Sequence, residues 1–501
     1  MKAEAQVERV RGALADALRF ELMQGHCYSH AHSICQRVAG KLRLHRDDVR
    51  AVAEQLEEFV VQDRWLADAE VYKAECIVAE RVSALLKAPS DSRKRSVGAP
   101  PDIVFDPKQE LAIDLMVKAP IGLVTGPPGS GKTTIIEQAL REFHGRGTTY
   151  ALAAPTGKAA IRLQETSGEM AQTIHRLLEW TYEGFARDEH NPLSVDVVIV
   201  DESSMIDIRL CADLLRAIDP RYTRIILVGD ADQLPPVGPG APFRDLIASG
   251  LIETVYLKTV HRAAKRSWIY RNAPKILAGD GVELEDCEDF EFHEMEVTDW
   301  PHLGEAALDI IKALVAEGYN HNAFQVLSPM RKNDGGTLQL NAFFQEELNP
   351  GMLGLETSRS VTLTEGDRAI HTRNNYRLAV MNGEVGKVDS IDQGGRKVVV
   401  RYPDKPEDRF IRYERPSDLA QLELAYALTV HKFQGSQIPI VIFLCHSIHK
   451  YMLSRQLLYT ALTRARKRVY LIGDSGGVAH ALKTIKDTQR RTQLVERLGD
   501  A

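Results

Sequence analysis

Ile121-Gly-Leu-Val-Thr125-Gly126-Pro-Pro-Gly129-Ser130-Gly131-Lys132-Thr133-Thr134 is the stretch on which the fold turns. Its first five residues read as a buried strand, and the residues from Thr133 to Phe143 read as a helix. Between them the glycines allow a tight turn whose backbone N–H groups converge on one point. Strand, glycine-rich loop and helix in this order make a phosphate-binding loop; a chance glycine-rich turn would lack the flanking elements. Gly126, Gly129, Ser130, Gly131 and Thr134 are expected to cradle phosphate oxygens. Lys132 would bring a point charge to the β and γ phosphates of ATP, and the Thr133 hydroxyl would reach Mg²⁺.

Two more strands complete this chemistry. Val197–Val200 ends in Asp201-Glu202. Two carboxylates after a buried strand are costly unless they have a task. In phosphate-loop enzymes the first holds Mg²⁺ and the second can accept a proton from the attacking water, so Asp201 and Glu202 take those roles. Ile225–Val228 runs into Gly229-Asp230-Ala-Asp-Gln233-Leu-Pro-Pro. Gln233 can hydrogen-bond a γ-phosphate or the attacking water; equally, the segment reads as a proline-stiffened turn.

Around this centre the chain alternates strand and helix. From 102 to 280 the pattern predicts a mainly parallel sheet covered on both faces. The acidic stretch GDGVELEDCEDFEFHEMEVTD marks a break, and a second α/β region follows over 281–360 and 416–501, with strands at Phe324–Leu327, Ile440–Leu444 and Val469–Ile472. Residues 361–415 read as a β-rich insert with short strands at Arg368–His371, Val385–Val388 and Lys397–Tyr402. Residues 1–88 read as helical. Leu14, Leu18, Phe20 and Leu22 begin one apolar face, and Val49, Val52, Leu56, Phe59 and Val60 mark another. A third helix is expected from about Val71 to Leu86, with Ile77, Val78, Val82 and Leu85 inward. Residues 89–101, rich in Pro and Ser and carrying Arg93-Lys-Arg95, read as a solvated linker.

With 501 residues, the chain exceeds one ordinary core. Hydrophobic residues at 44% and charged residues at 26% fit a globular protein in water. No apolar run reaches the roughly 18 residues of a membrane span. The start lacks a signal-peptide core, and the six cysteines are scattered, so a reducing cytoplasmic setting is expected. A net charge of −6 is neutral evidence on nucleic acid, because a strand is gripped by a local groove.

Together these motifs resemble the RecD-like helicases of superfamily 1. Phe105-Asp-Pro-Lys-Gln109 is similar to the segment whose glutamine reads adenine, which gives Gln109 that role. Ala154-Pro155-Thr156-Gly157-Lys158 and Thr173-Ile-His175 resemble strand-binding segments of the first lobe. In the second, Gln325-Val-Leu-Ser328-Pro329, Ala427-Leu-Thr429-Val-His431-Lys432-Phe-Gln434-Gly435-Ser-Gln437 and Tyr459-Thr-Ala-Leu-Thr463-Arg464 match the family's later motifs. The run from Gly366 through Asn375 to Gly386 resembles its inserted SH3-like barrel.

The resemblance implies an α/β protein of two RecA-like P-loop lobes with parallel sheets, a small helical N-terminal domain and an SH3-like insert. It implies an ATP hydrolase that unwinds DNA, moving 5′ to 3′ as a monomeric motor on single strands and duplex junctions, in repair, recombination or replication. Arg464 and Arg262 would reach the γ-phosphate and Gln437 the ribose. Pro155, Thr156, Lys158, His175, Asn375, Thr429, His431 and Lys432 would touch DNA. Two departures stand out. Arg262 is followed by Ala263 where the family often has Gln, and Gln437 replaces a usual glutamate. The helix-hairpin-helix repeats of longer members have no counterpart in this reading.

Residues 177–193 contain Glu179-Trp-Thr-Tyr-Glu-Gly184-Phe-Ala-Arg, whose alternation around Glu-Gly predicts a β-hairpin. By resemblance this is the pin that splits a duplex. Trp180, Tyr182 and Phe185 can stack on a base pair or pack the hairpin onto the lobe; both readings stay open here. Two rivals stand beside the motor: an ATP-gated binding switch that does not translocate, and a metal site among His26, Cys27, His30, His32 and Cys35, a cluster without the regular spacing of structural zinc ligands.

Overall fold

In the computed structural model the deciding stretch forms strand Ile121–Thr125, buried throughout, and helix Lys132–Arg146. The structure describes the chain apart from residues 1, 94, 96, 99, 101–102, 259–266, 297–299, 351–353, 358–360, 376, 393, 395, 404–406, 486–489 and 501, and the side chains of 2 and 3. The chain forms two units. The first holds Met1–Pro155, Leu163–Thr259 and Asp487–Ala501; the second holds Thr156–Arg162 and Val260–Lys486.

The sheet of the first unit has six strands in the order Thr254–Tyr256, Ile121–Thr125, Arg224–Gly229, Val197–Val200, Tyr150–Ala154 and Ala171–Thr173. All pairs are parallel. Their Val, Ile and Leu side chains are buried on both faces, as parallel sheets covered by helices require. Register places Gly229 beside Thr125 and Leu227 beside Val200, so three consecutive strands release their loops at one edge.

The N-terminal domain is mostly helical, with helices Lys2–Met23, Ala31–Leu42, Arg46–Gln55 and Ala69–Leu86, but it also contains a three-stranded antiparallel sheet. Phe59 and Val60, read above as helical, lie in strand Phe59–Gln62, which pairs with Trp65–Asp68. Phe20 is exposed, while Leu14 and Leu18 are buried. Helix Ala69–Leu86 joins the domain to the lobe. Its Val71, Val78 and Val82 share a core with Ile208 and Leu215, and Arg81 Nε donates to Leu215 O at 3.2 Å.

The stretch expected to be a solvated linker is instead fastened to the lobe. Asp91 N donates to Lys118 O, and Val97 N to the buried Glu142 carboxylate at 2.8 Å. Arg95 lies beside Glu110, Asp114 and Glu142. The basic run is therefore at least partly neutralised locally.

The chain's last described residues return to the first unit, although 416–501 was expected to belong wholly to the second lobe. Arg490 donates to the carbonyls of Pro236, Gly238 and Gly240 at 2.6 to 2.8 Å. Cys27 N donates to Arg491 O at 2.9 Å. Helix Leu494–Asp500 buries Leu494 and Leu498, and Arg497 pairs with the fully buried Glu75 at 3.4 Å while donating to the Tyr28 hydroxyl at 2.7 Å.

The second unit has a five-stranded parallel sheet in the order Phe290–Glu294, Ala465–Gly473, Ile438–Cys445, Phe324–Ser328 and Ala427–Thr429. It begins earlier than residue 281. Helix Trp268–Ala278 packs here, with Trp268 stacked on Phe290 at 3.6 Å between centroids. The acidic stretch taken as a break supplies the edge strand Phe290–Glu294. The insert is a five-stranded antiparallel sheet in the order Arg409–Tyr413, Lys397–Tyr402, Val385–Asp392, Arg368–His371 and Leu422–Leu424. Leu422–Leu424 carries it past residue 415.

Candidate nucleotide and nucleic-acid sites

In the first unit the chemistry sits at the ends of the three adjacent strands. Gly129 and Gly131 have φ of 79° and 87°, a left-handed conformation that glycine adopts without steric penalty. They wrap the loop so that Lys132 heads the helix. Its ammonium donates to Gly126 O at 2.6 Å and Pro127 O at 3.0 Å, lying over the loop. Gly126 N donates to Gly229 O, tying this loop to the neighbouring strand end. A side chain at Gly126 would collide with Leu257 O, 2.6 Å from its Cβ position.

Asp201 follows strand Val197–Val200, and its Oδ1 accepts from Glu202 N at 2.8 Å. Glu202 has φ 52° and ψ 36°, unusual for a residue with a side chain. Such strain collects at functional sites. Gln233 is buried; its Nε2 donates to Asp230 Oδ2 at 3.1 Å, and its Oε1 has no hydrogen-bond partner among the described residues. The loop of Gln233 is fastened on both sides, by Thr125 Oγ1 accepting from Ala231 N and by Arg490 on the carbonyls beyond it. Thr133 and Asp201 contribute a hydroxyl and a carboxylate, hard oxygen donors that suit Mg²⁺.

Gln109 has a different local use from the one expected. Its Oε1 accepts from Asp106 N at 3.1 Å in a capping box, and its Nε2 donates to Ser130 O at 3.1 Å. It ties the helix start to the phosphate loop, and reading adenine requires it to exchange one of these bonds.

In the second unit Arg464 is buried, with Nε donating to Thr460 O at 3.2 Å and Nη1 to Ser436 O at 3.4 Å. Gln437 Oε1 accepts from Arg466 Nε at 3.3 Å. Arg262 lies outside the described residues.

The expected strand grips divide between structural and available groups. Thr156 Oγ1 accepts from Ala159 N and starts the helix Gly157–Ser167; Thr429 Oγ1 accepts from Lys432 N in the same way. Pro155 and His431 are partly exposed. Lys432 pairs with Glu423 at 2.8 Å, which mutes its charge. Lys158 lies over the Phe433 ring at 5.6 Å, and burial lowers its pKa to about 8 despite the field of Glu384. Asn375 has a structural use beside the expected one. Its Nδ2 donates to Asp418 Oδ1 and Gln421 Oε1, and its Oδ1 accepts from Leu378 N, so its amide holds the insert's own loop.

The predicted hairpin forms as Trp180–Thr181 paired with Gly184–Phe185. Its aromatics separate. Phe185 packs toward the core and lies 5.6 Å from the His175 ring; burial also lowers the pKa of His175. Trp180 is half exposed and Tyr182 fully so, 5.7 Å apart. Arg187 binds Glu179 at 2.7 Å across the hairpin base. The N-terminal His and Cys residues are used in packing: His30 stacks on Trp65 at 4.4 Å, His32 lies 3.0 Å from Arg46, and Cys27 and Cys35 are buried.

The chain matches three family descriptions: an AAA domain over residues 109–239, an ATP-dependent RecD-like DNA helicase SH3 domain over 340–402, and a UvrD-like helicase C-terminal domain over 424–472. It is 35% identical over 391 residues to the ATP-dependent RecD2 DNA helicase of Deinococcus radiodurans, covering 78% of this chain and 52% of that one. It therefore spans about half of that relative. It is 32% identical over 473 residues to the RecBCD enzyme subunit RecD of Mycolicibacterium smegmatis, covering 85% of this chain and 80% of that one. A solved structure of Bacteroides Pif1 bound to ssDNA is similar at a TM-score of 0.47 and 17% identity, covering 74% of this chain and 92% of that one.

Proposed function

The chain belongs to the RecD-like family of superfamily 1 DNA helicases, and from that premise we propose that it is an ATP-driven motor that moves 5′ to 3′ along single-stranded DNA and unwinds the duplex ahead. The observation that carries the reading is the convergence of Lys132, Asp201, Glu202 and Gln233 on three neighbouring strand ends. Lys132 binds the β and γ phosphates of ATP. Thr133 and Asp201 would hold Mg²⁺, which screens phosphate charge when bound. Glu202, fixed beside Asp201, takes the proton of the attacking water, and Gln233 orients that water from its braced loop. Arg464 is the second lobe's contribution to charge at the γ-phosphate. Phosphoryl transfer is mostly positioning and charge stabilisation, so these charged groups are the parts on which hydrolysis depends.

Lys158, Thr156 and Pro155 form one strand grip, and Thr429, His431 and Lys432 the other. The exposed Trp180 and Tyr182 form the tip of a pin that meets the duplex at a single-strand junction. The motor acts as a monomer, in DNA repair, recombination or replication. Among the described residues no helix is long and apolar enough to cross a membrane. The decisive measurement is unwinding of duplexes bearing one single-stranded tail. The expected result is ATP-dependent unwinding from a 5′ tail and little from a 3′ tail. Strand-stimulated ATPase with no unwinding of either would make the protein an ATP-gated binding switch.

A further inference from the structure

The insert carries a row of cations that the proposed motor cycle does not use. Arg368 on strand Arg368–His371 stands opposite Lys387, Lys387 stands opposite Arg401, and Arg401 stands opposite Phe410 on the edge strand. Directly opposed residues of an antiparallel pair project from the same face, and like charges so placed repel. Three cations and an exposed phenylalanine therefore lie in one line across one face of the insert's sheet.

One end of this row is buried. Arg368 is 7% exposed, and its guanidinium donates to two neutral oxygens, Phe324 O at 3.2 Å and Gln325 Oε1 at 3.1 Å. Among the described residues no carboxylate lies within ion-pair distance of it, and its Nε has no hydrogen-bond partner. The adjacent Asp367 makes no ion pair with it; that carboxylate accepts from Gln345, Asn349, Thr364 and Tyr426. Arg368 lines a cavity of about 270 Å³ together with Lys387, Arg401 and His321. The carboxylate on the cavity wall, Asp408, stands 3.8 Å from Arg401. A buried guanidinium without a counter-charge is expensive, and an anion in the cavity would relieve it. Burial lowers the pKa of His321, and the fields of Arg368 and Lys387 lower it further, which places the three groups around one space.

We propose that this row is a further single-strand binding site, in which Arg368, Lys387 and Arg401 take backbone phosphates and Phe410 stacks on a base. Three cations with an aromatic at the end of the line match a phosphodiester strand, where charge and π-faces alternate. The site is separate from the grip at Thr429 and His431. Strand Phe324–Ser328 has its first residue at the cavity and its last beside Thr429, about 13 Å further along at the usual strand rise. The inference rests on the reading of the chain as a DNA motor.

The test uses the full chain, a labelled thirty-nucleotide strand, and anisotropy titrations across a salt series. Each phosphate contact contributes about 0.7 to the slope of log affinity against log salt. Lys387→Ala/Arg401→Ala changes two exposed side chains and should lower that slope by about 1.4, with affinity falling about tenfold at moderate salt. Phe410→Ala should weaken binding with the slope unchanged, and a strand carrying photoreactive iodouracil should crosslink to the peptide that contains Phe410. Arg368→Gln should act as the exposed pair does; because it is buried, the exposed pair decides. Unchanged slope and affinity in the double variant, with wild-type binding intact, overturns this inference alone. A wild-type chain that binds no strand overturns the motor reading and this one together. Inorganic phosphate, titrated calorimetrically at constant ionic strength, separates the two sources of the anion. If it binds the wild type and not the double variant while strand affinity is the same in both, the site takes free phosphate and the strand assignment fails.

Discussion

Glu202, the base of the proposed reaction, has a left-handed backbone that few residues with side chains adopt here. A change to glutamine keeps the size of the side chain and removes its charge, so it should cost chemistry more than folding. Glu202→Gln is expected to bind ATP and lose at least about a hundredfold in turnover, close to 3 kcal/mol in the barrier; Lys132→Ala should lose as much through the phosphate charge. Steady-state ATPase with saturating single strand, beside nucleotide binding, checks both, and near-normal turnover in Glu202→Gln would remove its role as base. Lys158 gives a pH test. Its pKa is lowered to about 8, chiefly by burial, with Arg368 adding to the effect and Glu384 opposing it. The folded state therefore disfavours the ammonium, and that cost to stability is present below about pH 8 and fades as pH rises toward the ordinary lysine value. A strand phosphate favours the ammonium. Affinity for single strand should thus be highest below pH 8 and fall above it, by up to about tenfold per pH unit, whereas Lys158→Met should show a weaker, flatter profile. Equal slopes in the two proteins would place Lys158 away from the strand.

The hairpin Trp180–Thr181 with Gly184–Phe185 is a small element with a divided surface, one aromatic inward and two outward. Replacing Trp180 to Arg187 by a short Gly-Ser turn should cut unwinding severely while strand-stimulated ATPase largely persists, which paired assays on one forked substrate would show. Unchanged unwinding would remove the pin and leave the motor standing. This hairpin was legible in the sequence because turn residues and alternation coincide within a few positions; which aromatic faces inward was not, because that depends on His175 and the core beneath. The phosphate loop and the strand-end carboxylates were legible for the same local reason. The short strands Tyr28–His30, Phe59–Gln62 and Trp65–Asp68 escaped because three or four residues show no period distinguishable from helix, and their pairing is tertiary. The lobe boundary was misplaced near 280 because the partners of helix Trp268–Ala278, such as Phe290 and Arg455, lie outside it in sequence. The structural use of Asn375 was not legible, because its amide holds Asp418 and Gln421, residues more than forty positions on.

At the scale of the molecule, the first unit is completed by residues distant in sequence. Helix Leu494–Asp500 and the arginines around it lie against the N-terminal domain and the loop after Gln233, so the ordering of that loop depends in part on the far end of the described chain. Glu75 is fully buried, and Arg497 is its cationic partner. Arg497→Ala should destabilise the first unit by about 3 kcal/mol, because it strands a buried carboxylate. Adding Glu75→Gln should restore part of the loss by removing the stranded charge. Urea unfolding of the full-length variants, followed by tryptophan fluorescence, would report both, and an Arg497→Ala protein as stable as the parent would show the pair to be dispensable. Synthesis runs in one direction, and this gives the arrangement a temporal meaning. The N-terminal domain leaves the ribosome first, yet the residues that cover Glu75 and brace the loop after Gln233 are translated hundreds of codons later. During that interval the nascent first unit must persist with an open seam, within reach of chaperones and proteases, and only the arrival of residues 490 to 500 closes it.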